Sequence, residues 1–152
     1  MRLSLLILII SLFSCDERYG LYVDDRLETV VDEFYTGAES RGFKYPKNVT
    51  VEIKKLDGLI GKYNRDTNTI TMNADWILPK LDGDSLNYNG VKLVVFHELG
   101  HWAGKKHRGG RSIMNTNPDF GGCKCGDFIG TMQFYNQYPE HRKEILDEFF
   151  NN

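Results

Sequence analysis

The chain has 152 residues, 41% of them hydrophobic and 26% charged, with a formal net charge of −2. That length suits one domain around a single hydrophobic core, and the balance is that of an ordinary soluble globular protein. There is no strong basic excess of the kind that marks a nucleic-acid binder, so no nucleic-acid partner is expected.

Residues 1–14 read as an export signal. Arg2 supplies the positive start, and residues 5–13 are apolar apart from Ser11. That run is too short for a membrane-spanning helix, which takes about 20 residues. Leu12-Phe13-Ser14-Cys15 then resembles a bacterial lipobox, which implies acylation at Cys15 and a membrane-anchored lipoprotein of the cell envelope. The alternative is a plain leader and a secreted product. Residues 15–23 form a polar tether, and residues 24–152 the domain. No long pro-segment lies between them, so latency by a pro-peptide is not expected.

Residues 24–42 predict a first helix. Leu27, Val30, Val31, Phe34 and Ala38 recur at helical steps, and Gly42 and Pro46 mark its end. Residues 48–54 alternate Val49, Val51 and Ile53 with polar side chains, the pattern of a half-buried strand. Residues 58–63 and 69–73 predict two more strands around a turn at 64–68. Asp75 to Leu78 begins a short turn or helix that Pro79 should end. Residues 81–90 read as a polar loop without calcium-site spacing. A largely apolar helix follows from about Tyr88 to Ala103, as expected of one running through the domain centre.

Three of the four histidines fall in His97-Glu98-Leu99-Gly100-His101-Trp102-Ala103-Gly104-Lys105-Lys106-His107. On a helix, His97 and His101 lie one turn apart on one face and can share a Zn²⁺ at about 2.0–2.1 Å each. Glu98 lies beside that point, where a general base for an activated water belongs. Gly104 can take the left-handed conformation that ends a helix, letting the chain bring His107 back as a third ligand. Three protein ligands leave one position open, the mark of a catalytic zinc site.

These eleven residues resemble the metzincin signature of zinc endopeptidases, with Ser112-Ile113-Met114-Asn115 similar to the methionine turn of that superfamily. The short gap from His107 to Met114 is similar to that of the matrixins, although Arg108 stands where matrixins usually carry an aspartate. The resemblance implies a compact α+β zinc peptidase domain. Its parts would be a small twisted mixed sheet, a long first helix, a central zinc-binding helix and a C-terminal helix. It implies one catalytic Zn²⁺ on His97, His101 and His107, with Glu98 as general base and Met114 beneath the metal. A protein or peptide substrate would then be hydrolysed by zinc-activated water. It also implies a sheet edge that pairs with substrate, for which residues 59–63 and 69–73 are the candidates. With His141 the only other histidine, no second structural zinc is expected. The alternative function is a non-catalytic, zinc-stabilised, surface-anchored binding lipoprotein.

Lys105, Lys106, Arg108 and Arg111 form a basic rim beside the site, read as solvated charge. After Met114 the chain is loop-like through 115–118 and the Gly121-Gly122 pair. Cys123 and Cys125 could close a small disulfide or remain thiols. Residues 127–138 fit helix and strand equally. Tyr135 and Tyr138 are candidates for holding an oxyanion, and Asp119 and Asp127 for supporting the histidines. Pro139 starts a closing amphipathic helix carrying Ile145, Leu146, Phe149 and Phe150, with His141 on its surface. A monomer is expected.

Overall fold

Three segments with strand character assemble into one sheet in the order β1 (Thr50–Lys54), β3 (Thr69–Asn73), β2 (Gly61–Asn64). The computed structural model describes residues 22–81, 85–108, 112–114 and 135–152, and the fold is mixed α+β. β1 runs parallel to β3, and β2 antiparallel to it. The β2–β3 turn closes at Asn68, whose φ of 49° is a left-handed conformation that asparagine tolerates. Of the two strands expected to offer a free edge, β3 does not: it is central, bonded on both sides. Among the described residues β2 is an edge.

The first helix is preceded by a 3-10 turn over Asp25–Leu27 and runs as α1 over Glu28–Glu39. It ends as Gly42 predicts. Gly42 has φ 83°, its N–H donates to the Glu39 carbonyl, and Phe43 N–H donates to that of Ala38. This is a Schellman cap, which a side chain with a Cβ would strain. The last two residues of the expected tether, Tyr22 and Val23, are tied to β1: Val51 N–H donates to the Tyr22 carbonyl, and Val23 forms a parallel bridge with Val51.

Two expectations about the middle of the chain are corrected. Pro79 lies inside α2 (Ala74–Leu81) rather than ending it. As the sixth of eight helical residues it forfeits one intrahelical bond, and the fully buried Ile77 holds the helix to the core. The central helix α3 spans Ser85–Trp102, so residues 85–90 are helix, not loop. Its polar early turns find partners: Tyr88 Oη donates to Glu33 of α1 (2.9 Å), and Asn89 bonds Asn136 (2.7 Å). Lys92 adds an ion pair to Glu33 at 2.5 Å.

From Leu93 to Gly100 every residue of α3 is buried, because α1, α2, β2 and β3 all pack on it. Phe34 knots the helices together. Its ring meets Phe96 and Trp102 of α3, and Phe149 and Phe150 of the C-terminal helix, at centroid distances of 5.4–6.5 Å. That helix, α4, spans Arg142–Asn151 after a 3-10 turn at Pro139–His141, and Arg41, just past the end of α1, pairs with its Asp147 at 2.6 Å. No described helix is long and apolar enough to cross a membrane.

The export signal at 1–14, Cys15, Arg111, Cys123, Cys125, Asp119 and Asp127 lie outside the described residues. So does most of 115–138, of which Tyr135, Asn136 and Gln137 are helical.

Candidate metal centre

His97 and His101 leave α3 one turn apart, as their spacing requires. The helix then stops at Gly104, whose φ is 84°. Gly104 N–H donates to the His101 carbonyl and Lys105 N–H to the Gly100 carbonyl, a second Schellman cap. The reversal carries His107 back onto the pair. Its ring lies 5.3 Å from that of His97 and 4.4 Å from that of His101. One nitrogen from each of the three rings falls within 4.8 Å of the others, a group that can hold a metal ion. His97 is buried, His101 half-buried and His107 exposed, so the cluster opens to solvent on the His107 side.

Backbone carbonyls orient two of the rings. His97 Nδ1 stands 2.6 Å from the Ile113 oxygen, and His101 Nδ1 stands 3.3 Å from the Lys105 oxygen. A carbonyl only accepts, so each Nδ1 carries the proton and each Nε2 presents its lone pair. Those two Nε2 atoms face one another at 3.1 Å. With both protons on Nδ1 they do not hydrogen-bond each other, and their convergence suits a shared cation. Ligand atoms about 2.0–2.1 Å from a tetrahedral ion lie about 3.3–3.4 Å apart, close to this separation. The donor set and its spacing therefore fit a metal ion.

Desolvation favours the neutral form of these imidazoles. His97 is pushed down to about 4, chiefly by desolvation, against the raising effect of the Ile113 carbonyl. His101 and His107 are lowered for the same leading reason. Neutral imidazole is the form that binds a metal.

Glu98 leaves α3 toward the sheet. It is 4% exposed, and desolvation pushes its carboxyl up to about 7, opposed by a hydrogen bond from Tyr63 N–H. That N–H belongs to the free side of β2. Ile60 and Asn73 form a hydrogen-bonded pair (2.8 Å), so in the register Gly61↔Met72 and Tyr63↔Ile70 the backbone groups of Gly61 and Tyr63 face away from β3.

Met114 is 2% exposed and packs beneath the histidine turn, where a Cβ at Gly100 would overlap its Sδ. Its carbonyl accepts from Arg108 N–H (2.9 Å), and its N–H donates to Ser112 Oγ (3.2 Å). The turn therefore braces both His97, through Ile113, and the strand of chain that carries His107. Of the basic rim, Lys105 Nζ bonds the Phe150 carbonyl (3.3 Å) and Arg108 bonds that of Asn152 (3.1 Å). Both reach the C-terminal end of α4, while Lys106 and Arg108 remain exposed, as expected of solvated charge. Tyr135 is buried with its ring under the Arg142 guanidinium, while Tyr138 is exposed and edge-on to His141.

Sequence reasoning did not single out Gly61, Asn73, Gly100 or the Ile113 carbonyl. A glycine inside a strand pattern is a signal of close backbone approach, and Gly61 carried it. Asn73, 8% exposed, is the more hidden. Its side chain donates to the Leu56 and Leu59 carbonyls and accepts from the Leu56 and Asp75 N–H groups, pinning the loop that leads into β2.

No family model matches this chain, and neither a curated protein nor a solved structure does.

Proposed function

We propose that this chain is a zinc-dependent endopeptidase of metzincin type, with His97, His101 and His107 as the metal ligands and Glu98 as the general base. The observation that carries the reading is the convergence of the His97 and His101 Nε2 lone pairs at 3.1 Å, with Glu98, the residue after His97, buried beside β2. Zinc is favoured over other ions because three neutral imidazoles with an open position form a common catalytic zinc set. When bound, the ion supplies Lewis acidity, lowering the pKa of water and polarising a carbonyl.

The chain's own residues do the rest. A carboxyl pushed to about 7 exchanges a proton near neutral pH, which suits Glu98 to take one from the attacking water and return it to the leaving amine. Apart from the Tyr63 N–H that Glu98 engages, the outward backbone groups of β2 offer main-chain docking to an extended peptide with little demand on its sequence. Export and lipid anchoring at Cys15 belong to the same proposal and rest on residues 1–15 alone.

The test compares the full-length chain with Glu98→Gln for zinc stoichiometry and for cleavage of a quenched peptide library. Both should bind one zinc, and the variant should lose about 10²–10⁴ in rate. Zinc binding with no cleavage by either would favour the non-catalytic binding lipoprotein. No zinc binding by the wild type would remove the basis of the proposal.

A further inference from the structure

Glycine weakens a strand, since it costs backbone entropy and packs no side chain. Gly61 nevertheless opens β2 and is buried. Its backbone does not require glycine, for the positive-φ glycines are Gly42, Gly58 and Gly104. The reason is steric. A Cβ at position 61 would stand 2.9 Å from Glu98 Cγ, 3.0 Å from its Oε1 and 3.2 Å from its Cδ, and these are its three nearest neighbours. The atoms it would meet first all belong to the Glu98 side chain.

Such a contact would force something to move, and most of the surroundings are held. β2 is bonded to β3, and the chain entering it is pinned by Asn73, which bonds the Ile60 carbonyl through its N–H (2.8 Å) and that of Leu59 through Nδ2 (2.6 Å). The backbone of Glu98 lies in the buried stretch of α3. The softest element is the Glu98 side chain, which would swing away from the strand and from Tyr63 N–H.

We propose that Gly61 is a positioning residue, whose missing Cβ forms the seat of the Glu98 carboxylate at the β2 edge. The helix sets where the Glu98 side chain begins, and the strand sets where its carboxylate rests. The consequence for hydrolysis rests on the endopeptidase reading above; the contact does not.

The experiment is a double-mutant cycle on the full-length chain: wild type, Gly61→Ala, Glu98→Ala and the pair together. Each is read by thermal melting, zinc stoichiometry and cleavage of a quenched peptide library. Gly61→Ala should lower the melting temperature of the wild type by about 3 °C. In the Glu98→Ala background, where the seat is empty, it should leave the temperature unchanged or raise it, because alanine restricts the unfolded chain more than glycine does. The single variant should keep its zinc and KM while kcat falls by up to about 10²-fold, the effect of displacing a reacting group by an ångström. Equal melting shifts in the two backgrounds would overturn the proposal, as would an unchanged kcat. If Gly61→Ala alone fails to fold, a folded double variant supports the seat and an unfolded one overturns it. If the wild type cleaves nothing, the endopeptidase reading fails, and the melting cycle still decides whether the seat exists.

Discussion

His97 Nδ1 lies 2.6 Å from the carbonyl oxygen of Ile113, sixteen residues further along the chain. Through this one bond, the turn ending at Met114 sets the tautomer of a ring on α3, and so aims its Nε2 at that of His101. The geometry of the histidine cluster is thus built by tertiary contacts as well as by helical spacing.

That geometry predicts that added Zn²⁺ stabilises the folded chain. At a free concentration of about 100 times Kd the gain is about 2.7 kcal/mol, and a chelator should reverse it. His101→Ala should abolish the zinc-dependent rise in melting temperature while remaining folded, since His101 is only half-buried. A wild-type melting curve indifferent to zinc would refute the ligand assignment.

Stability of the metal-free chain should depend on pH through opposed groups, the lowered histidines on one side and Glu98 on the other. His97 is pushed down from 6.5 to about 4 by burial, so as pH falls from 6.5 to 4 the unfolded chain gains a proton that the folded one refuses. Its effect is a loss of stability toward acid. Glu98 is pushed up from 4.5 to about 7, so as pH rises through that window the unfolded chain releases a proton that the folded one retains. Its effect is a loss of stability toward alkali. Between pH 4.5 and 6.5 the two slopes oppose each other, with the lowered His101 and His107 adding to the first. Glu98→Gln removes the second, so stability of that variant should rise steadily from pH 4 to 6.5. By pH 8 it should exceed the wild type by on the order of 3 kcal/mol. Urea titrations across this range measure it, and parallel profiles for the two proteins would contradict the assigned shifts.

Gly100→Ala should destabilise the fold, although alanine is the better helix former by about 1 kcal/mol. The new Cβ would overlap Met114 Sδ and come within 3.0 Å of Phe149 Cε2. Overpacking of this kind costs about 1–3 kcal/mol. Because Met114 belongs to the turn that holds His97, zinc affinity should fall as well. Calorimetric zinc titration with thermal melting tests both, and a stabilised variant would show that the packing below the histidines is loose.

Asn73→Ala should cost about 2–4 kcal/mol, since it strands two carbonyls and two N–H groups around a nearly buried side chain. The loop into β2 would loosen, so activity should fall further than Asp75→Ala, which removes only an exposed carboxylate near the same helix start. Chemical denaturation and peptide cleavage of both variants make the comparison. Equal effects would mean that Asn73 does not organise the β2 entry.

What was legible in the sequence is what short-range geometry controls. Four-residue spacing put His97 and His101 on one face, and alternating Val49, Val51 and Ile53 marked the stretch that contains β1. Gly42 and Gly104 announced left-handed helix ends, because only a residue without a Cβ takes φ near +84° at little cost. These features depend on neighbours within about five residues, so the chain alone carried them.

The rest waited for long-range packing. Which of two strand-like segments became the edge was decided when β1 paired with β3, placing β3 at the centre and leaving β2 beside Glu98. Pro79 stayed within α2, and residues 85–90 joined α3, because distant partners outweighed local breaking signals. Gly61 has no side chain to pack in its strand, and only the fold brings Glu98, thirty-seven residues away, against it. The sequence by itself determined the donor set and the elements that carry it. Only the tertiary structure decided how those donors are aimed, because tautomer, burial and steric seat are all set by atoms remote in the chain.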